Sequence, residues 1–392
     1  MKETDKILFL EWKSFGNEHI IPIFERMGYE VVSVPFLLHD EDARMSEKLA
    51  AEIAKKILEE KPVFVFSFNY YPTVAIACKA CRVKYVSWIY DSPFVMAYSQ
   101  TALFETNRIF HFDSTEANKL RSLGVKNVWY LPMGAAVEHY DKVVPTQADH
   151  KAYDSEITFI GATYSEKKNH MFRHLENLDD NTRGYVDALM QAQLHVYGMD
   201  VIEPALTEQV MENIRKVCPV YAQGDGMETA EWVVANYFLA RKVTAMERQE
   251  LLGRLSQKHQ VRLFTPERTP ELSKVLNMGS IDYYDRAPFA MKCAKINLNI
   301  SLRSIHTGMP LRALDILGCG GFLLTNFQSD FLEYFEPGRD FVYYESMEHA
   351  AELADYYLAH EDERLEIAAN GYRKVKEQLS YQAQVEKMLE VI

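Results

Sequence analysis

A chain of 392 residues can bury two ordinary domain cores, and 48% apolar with 25% charged residues is the composition of a globular protein. A net charge of −13 works against nucleic-acid binding, which needs a basic face to neutralise phosphates. The opening MKETDKILFLEWKS carries an apolar run, ILFL, too short for a secretory signal, and no stretch reaches the length of a membrane span, so the expected location is the cytoplasm. Five cysteines, an odd count in a long chain, do not suggest a disulfide framework. Cys78 and Cys81 form a CxxC, but no second pair completes a structural zinc site, so both read as thiols of a helix.

The first part alternates strands and helices. Strands are expected at KILFLEW (6–12), YEVVSVPF (29–36), PVFVFSF (62–68), KYVSWIY (84–90), RIFHFD (108–113) and NVWYLP (127–132). Helices are expected at HIIPIFERMG (19–28), at the strongly amphipathic 41–61, and at STEANKLRSLG after Asp113. This alternation means a parallel sheet with helices on both faces, ending near residue 135. Residues 136–156 read as a polar, irregular linker. ITFIGAT (157–163) starts a second series, interrupted by a mostly helical insertion over about 170–258 that contains one strand candidate, LHVYG (194–198). Strands resume at QVRLFT (260–265), KINLNIS (295–301), GFLLTN (321–326) and FVYYE (341–345). The second domain runs 157–375, and a last helix, 376–392, is expected to pack back on the first. The fold class is α/β, two parallel-sheet domains whose strand ends face a cleft, the expected ligand site.

The stretch HTGMPLRALDILGCGGFLLTN (306–326) carries the most chemistry. Pro310 suits the first turn of a helix, Gly308 allows close approach to the backbone, and free amides near Met309 and Leu311 make an anion site. Asp315 lies one to two turns in, and Gly318, Gly320 and Gly321 end the helix before a strand. Phosphates at the helix start and a hydroxylated ring near Asp315 would explain the pattern as a nucleoside diphosphate site. The alternative is an ordinary crossover in which Asp315 pairs with Arg312.

This segment resembles the donor site of GT-B glycosyltransferases, and more closely the CgeB-like, spore-maturation (DUF3880-type) enzymes. ITFIGATYSEKKN, GYVDALMQAQLHVYG, MGSIDYYDRAPFAMKCAKINLNIS, DFVYYESMEHAAELADYYL and WIYDSPF extend the likeness. The resemblance implies two Rossmann-like domains and transfer of a sugar from a nucleoside diphosphate sugar, a UDP-sugar favoured, to a hydroxyl of a glycan, protein or small molecule. It implies no cofactor beyond that co-substrate, no metal, and a monomer or homodimer. Asp315 stands where the family uses an acid for the ribose. Thr307 occupies the position of a second acid that contacts the donor sugar. FIGATYSEKKN resembles the family's G-R-x-x-x-E-K stretch. Gly161 and Lys167 match it and Ala162 replaces the arginine, so Lys168 and Arg303, with His306 beside the turn, are the compensating candidates. The loop at Thr265 would hold the nucleobase.

In the first domain Asp91, at the end of WIYDSPF, is the first candidate for a general base, with His111 and Asp113 of HFDST as alternates. Glu11, Ser14, Gly16 and Asn69, at neighbouring strand ends, are the acceptor candidates. Two other readings stay open: a sugar-nucleotide epimerase of the same fold, and a non-catalytic nucleotide- or sugar-binding protein.

Overall fold

The computed structural model describes residues 4–36, 44–164 and 175–392. Two compact units emerge. Unit 1 is Met1–Gly134 with Ala222–Glu228 and Tyr381–Ile392; unit 2 is Ala135–Tyr221 with Thr229–Ser380.

Unit 1 holds a six-stranded sheet of order β2-β1-β3-β4-β5-β6. Its strands are β1 (Lys6–Glu11), β2 (Glu30–Pro35), β3 (Phe64–Phe68), β4 (Lys84–Ile89), β5 (Asn107–His111) and β6 (Val128–Tyr130). Every pairing is parallel. Burial follows position. FVFSF of the central β3 is buried at all five residues. β2 lies at the edge, is half exposed, and ends in Pro35, which an edge strand tolerates. The strand order reverses between β1 and β3, the switch point at which an open α/β sheet leaves a crevice beyond its strand ends.

Unit 2 repeats the plan with β7 (Ser155–Ile160), β8 (Val261–Phe264), β9 (Leu276–Asn277), β10 (Ala294–Asn299), β11 (Leu323–Asn326) and β12 (Val342–Tyr344), in the order β12-β11-β10-β7-β8-β9. These strands are also parallel throughout. Its switch point falls between β7 and β10. Helices Asp180–Leu194, Glu208–Val217 and Ala240–Leu255 build the insertion and share one apolar core with the sheet.

Several boundaries differ from expectation. LHVYG forms no strand: Leu194 closes a helix and Val196 turns back on Gln193. The stretch 136–156 is not irregular: it carries helices Val137–Tyr140 and Gln147–Tyr153, the second opened by a Thr146–Asp149 capping box, and clusters with unit 2. The terminal segment divides. Glu361–Gln378 is a helix of unit 2, and Tyr381–Leu389 belongs to unit 1. The short strand β9 was not anticipated, because two exposed residues give no periodicity.

Gly371 sits inside helix Glu361–Gln378. A Cβ there would fall on the Asp340 carbonyl oxygen and 2.7 Å from Leu317 Cδ2. Helix propensity alone favours alanine by about 1 kcal/mol. The backbone oxygen cannot yield, so Gly371→Ala should instead destabilise the protein by about 1–3 kcal/mol, read as a lower urea midpoint.

Candidate functional site

The strand ends at the switch point of unit 2 are held by an arginine. Arg248, on helix Ala240–Leu255, donates through Nη1 to Ala162 O (2.6 Å), just beyond β7, and through Nη2 to Ile300 O (2.5 Å), just beyond β10. It is nearly fully buried, and burial pulls its pKa down. Its guanidinium also lies over the rings of Phe159 and Tyr164. A second arginine stands beside it. Arg312, at the start of helix Leu311–Gly318, lies over Phe159 and crowds Gly161, where a Cβ would meet Nη2 at 3.0 Å. Gly161 has φ +157, so the bare backbone and the guanidinium share a space that any other residue would fill. Arg312 Nε is buried without a hydrogen-bond partner, and among the described residues no carboxylate pairs with this side chain. No described side chain caps the helix, so its first amides face the same space. Two cations and a helix N-terminus converge there, and among the described residues no carboxylate forms an ion pair with either arginine, an arrangement suited to a polyanion.

The remaining donor-site expectations divide. Pro310 is the N-cap rather than the first helical residue, with Met309 and Gly308 buried before it and Leu311 opening the helix. His306 bonds Asn236 Oδ1 through Nε2 at 3.2 Å, and Asn236 sits in a π-helical turn, Val234–Leu239. Such bulges recur at functional sites. Thr307 accepts from Asp330 N at 3.1 Å through its carbonyl. Thr265 immediately follows β8 and is buried, its hydroxyl accepting from Glu267 N. Lys167 and Lys168 lie outside the described residues.

Arg303 is a correction. Its Nε donates to Glu247 Oε2 (2.7 Å), Nη1 to Val196 O (2.9 Å) and Nη2 to Leu194 O (3.0 Å), and its face rests on Tyr197. Every nitrogen of the fork is committed inside the core, so it is a structural residue and not a phosphate ligand. Asp315 is also not an open ribose ligand. It is 3% exposed, and its two oxygens accept from Tyr140 Oη (2.7 Å) and Tyr283 Oη (2.8 Å). Burial pushes its pKa up to about 6, against the pull of both hydroxyls and of Arg312.

In unit 1 the acceptor candidates collect around the β1/β3 switch point. Glu11 is the exposed last residue of β1. Ser14 Oγ donates to Asn17 Oδ1 (2.6 Å), tightening the turn before helix Asn17–Arg26, and Gly16 caps that helix at φ +105. Asn69 follows β3 in the left-handed conformation, φ +57. Its Oδ1 accepts from Tyr90 N and its Nδ2 donates to Asp91 Oδ2 at 2.7 Å, aiming the exposed Asp91 carboxylate. His111 and Asp113 have other work. His111 is 2% exposed, its Nδ1 accepts from Asp113 N, and burial lowers its pKa to about 4. Asp113 is fully buried and caps helix Ser114–Ser122 through Thr115 N and Glu116 N. Neither can meet an incoming hydroxyl. Sequence reasoning missed the aromatic group here: Trp12 stacks on Tyr90 and meets Tyr71 edge-on. It also missed Arg248, and it weighed Arg312 only as a partner for Asp315. Arg312 was legible, three residues before Asp315 in the singled-out motif; Arg248 was not, lying inside an unremarkable helix.

Residues 241–390 match the family model described as glycosyl transferase-like. No curated protein matches the sequence. Among solved structures, sucrose-phosphate synthase from Thermosynechococcus elongatus superposes with TM-score 0.58 at 10% identity, over 99% of this chain and 98% of that one. HepE from Anabaena, in complex with UDP-glucose, gives 0.54 at 12% identity over 98% of each chain. A glycosyltransferase from Rickettsia africae gives 0.54 at 11% over 99% and 97%. Structural likeness at such identity speaks for the fold, which is GT-B across the chain. The chain thus has the GT-B fold and carries a glycosyl transferase-like segment over residues 241–390.

Two outcomes follow from the buried charges. Arg303→Ala strands Glu247 and should cost about 3–5 kcal/mol in chemical denaturation. The Asp315 carboxyl titrates near 3.8 when unfolded and about 6 when folded, so the folded state holds the extra proton between these values. Stability from this group is present below pH 4 and lost as pH rises through 6, on the order of 3 kcal/mol. Asp315→Asn should match the wild type near pH 4 and exceed it in melting temperature at pH 7.5.

Proposed function

We propose that the protein transfers a sugar from a UDP-sugar to an acceptor hydroxyl, with unit 2 binding the donor and unit 1 the acceptor. The observation that carries this reading is Arg312, an arginine with no carboxylate paired to it among the described residues, set beside the bare Gly161 backbone at a helix start that no described side chain caps. A diphosphate supplies the missing negative charge. As the glycosidic bond to the diphosphate breaks, charge builds on the leaving oxygen. Arg312 and the first amides of helix Leu311–Gly318 stabilise it in place of a metal. Asp91, oriented by Asn69, takes the proton of the acceptor hydroxyl as that oxygen attacks the anomeric carbon. His306, fixed by Asn236, borders the donor turn.

Uridine as the base is supported by HepE, a structural neighbour crystallised with UDP and with UDP-glucose. Placement among the CgeB-like enzymes rests on the sequence motifs around Arg312 and Asp315. The cytoplasm is the proposed location. Five cysteines without disulfides agree with it, and among the described residues no helix is long and apolar enough to cross a membrane.

The test is calorimetric titration with UDP, GDP, TDP and ADP, with and without magnesium. UDP should bind without magnesium, and Arg312→Ala should weaken it by about 10–100-fold, the value of a charge-assisted contact. Asp91→Asn should keep UDP affinity and lose transfer to acceptor in a UDP-glucose assay. If no diphosphate binds, or Arg312→Ala binds as tightly as wild type, the donor site is wrong.

A further inference from the structure

A second cluster lies at the opposite ends of the same strands. His150, Asp154 and Cys293 each offer a ligand atom, and these atoms lie within 4.8 Å of one another. Two of the three are positioned by the sheet itself. Asp154 immediately precedes Ser155, the first residue of β7, and Cys293 immediately precedes Ala294, the first of β10, and Ser155 pairs with Ala294 in the parallel ladder. The third comes from one helical turn earlier: His150 lies on helix Gln147–Tyr153, and its Nδ1 meets Asp154 Oδ1 at 2.7 Å. Cys293 closes helix Ala287–Cys293 and is buried, whereas His150 and Asp154 are exposed and give an ion its way in. Asp149 does not complete the set, because its carboxylate closes the capping box with Thr146.

We propose that these three residues bind a zinc ion that staples helix Gln147–Tyr153 to helix Ala287–Cys293, with water as the fourth ligand. Thiolate, imidazole and carboxylate together form a borderline-soft set that favours Zn²⁺ over Mg²⁺ or Ca²⁺. Tetrahedral zinc holds ligand atoms roughly 3.3–3.8 Å apart, so the cluster closes by at most about 1.5 Å through rotation of exposed side chains. Binding releases the Cys293 thiol proton to solvent and replaces the His150–Asp154 hydrogen bond with two metal bonds. The ion is structural rather than catalytic. The strand starts lie roughly 20 Å from Gly161, six residues along β7 at about 3.3 Å each.

Cobalt(II) is the probe. Titrated anaerobically into the full, reduced chain, it should give one equivalent of a thiolate-to-cobalt charge-transfer band in the near ultraviolet, displaced by zinc. Zinc should also raise the melting temperature by several degrees. Cys293→Ser should lose the band. His150→Ala, on an exposed position that leaves the fold intact, should weaken cobalt binding by at least about tenfold, the scale of even an outer-shell loss, and abolish the zinc-induced rise. No band in the wild type overturns the site. A band that Cys293→Ser retains overturns it too, because another cysteine is then the ligand, as does an unchanged cobalt affinity in His150→Ala. A band without a thermal rise overturns the staple.

Discussion

The parallel pairing of β7 with β10 sets the terms for everything else in unit 2. Chain order reverses across this pair, so no crossover helix covers the gap beyond their ends, and two main-chain carbonyls, Ala162 O and Ile300 O, are left there without a ladder partner. Arg248 satisfies both with one rigid fork. The solution has an electrostatic consequence. A guanidinium buried against carbonyls and aromatic rings keeps its charge, and among the described residues no carboxylate forms an ion pair with it. Arg312 adds a second positive charge at the same strand ends, and the two repel. A structural repair of the switch point thus concentrates positive charge at these strand ends.

Arg303 and Arg312 stand nine residues apart, one just before the 306–326 motif and one inside it, and do opposite things. Arg303 faces the helical insertion, where Glu247 and two carbonyls use its whole fork. Arg312 faces the turn after β7, where Gly161 offers only backbone. Nothing in the residue type separates them; the partner supplied by another element does. Asp315 obeys the same logic. One turn along the helix from Arg312, it is taken by Tyr140 and Tyr283 from two segments distant in sequence.

That logic marks how far the sequence could be read. Two alternating βα series, their parallel sheets and the helical insertion were legible because hydrophobic periodicity is local. The short helix after β10 and its ends were legible because Gly308, Pro310 and the glycines after Leu317 are punctuation with fixed backbone meaning. The side chains facing that helix were not, since Arg248, Tyr140 and Tyr283 reach it through tertiary packing. LHVYG shows the converse error. Its apolar alternation suits a strand, but Gln193 gathers the following turn through Val196 O, Met199 O and Val201 N, and the chain curls instead. His111 and Asp113 failed as candidates for a related reason: a polar residue at a strand end is as often a helix cap or a buried acceptor as a reagent.

Unit 1 solves the same topological problem with other chemistry. Its switch point lies between β1 and β3, and there the chain uses conformation rather than charge. Asn69 takes a left-handed backbone, which asparagine tolerates better than most residues with a side chain. That conformation turns its amide toward the end of β4, where one group accepts from Tyr90 N and the other donates to Asp91. The carboxylate's direction is therefore set by the main chain of a neighbouring strand, not by its own rotamer. Gly16, at φ +105, lets the next turn close against Phe68 and Tyr381, contacts that leave no room for a Cβ. Trp12, Tyr71 and Tyr90 add flat apolar faces beside a carboxylate and an amide. Such a mixture holds a polyhydroxylated ring, apolar on its faces and polar at its edge, better than it holds an anion. Two sheets of similar plan thus present opposite surfaces at corresponding points: paired cations in one, an aimed acid among aromatics in the other.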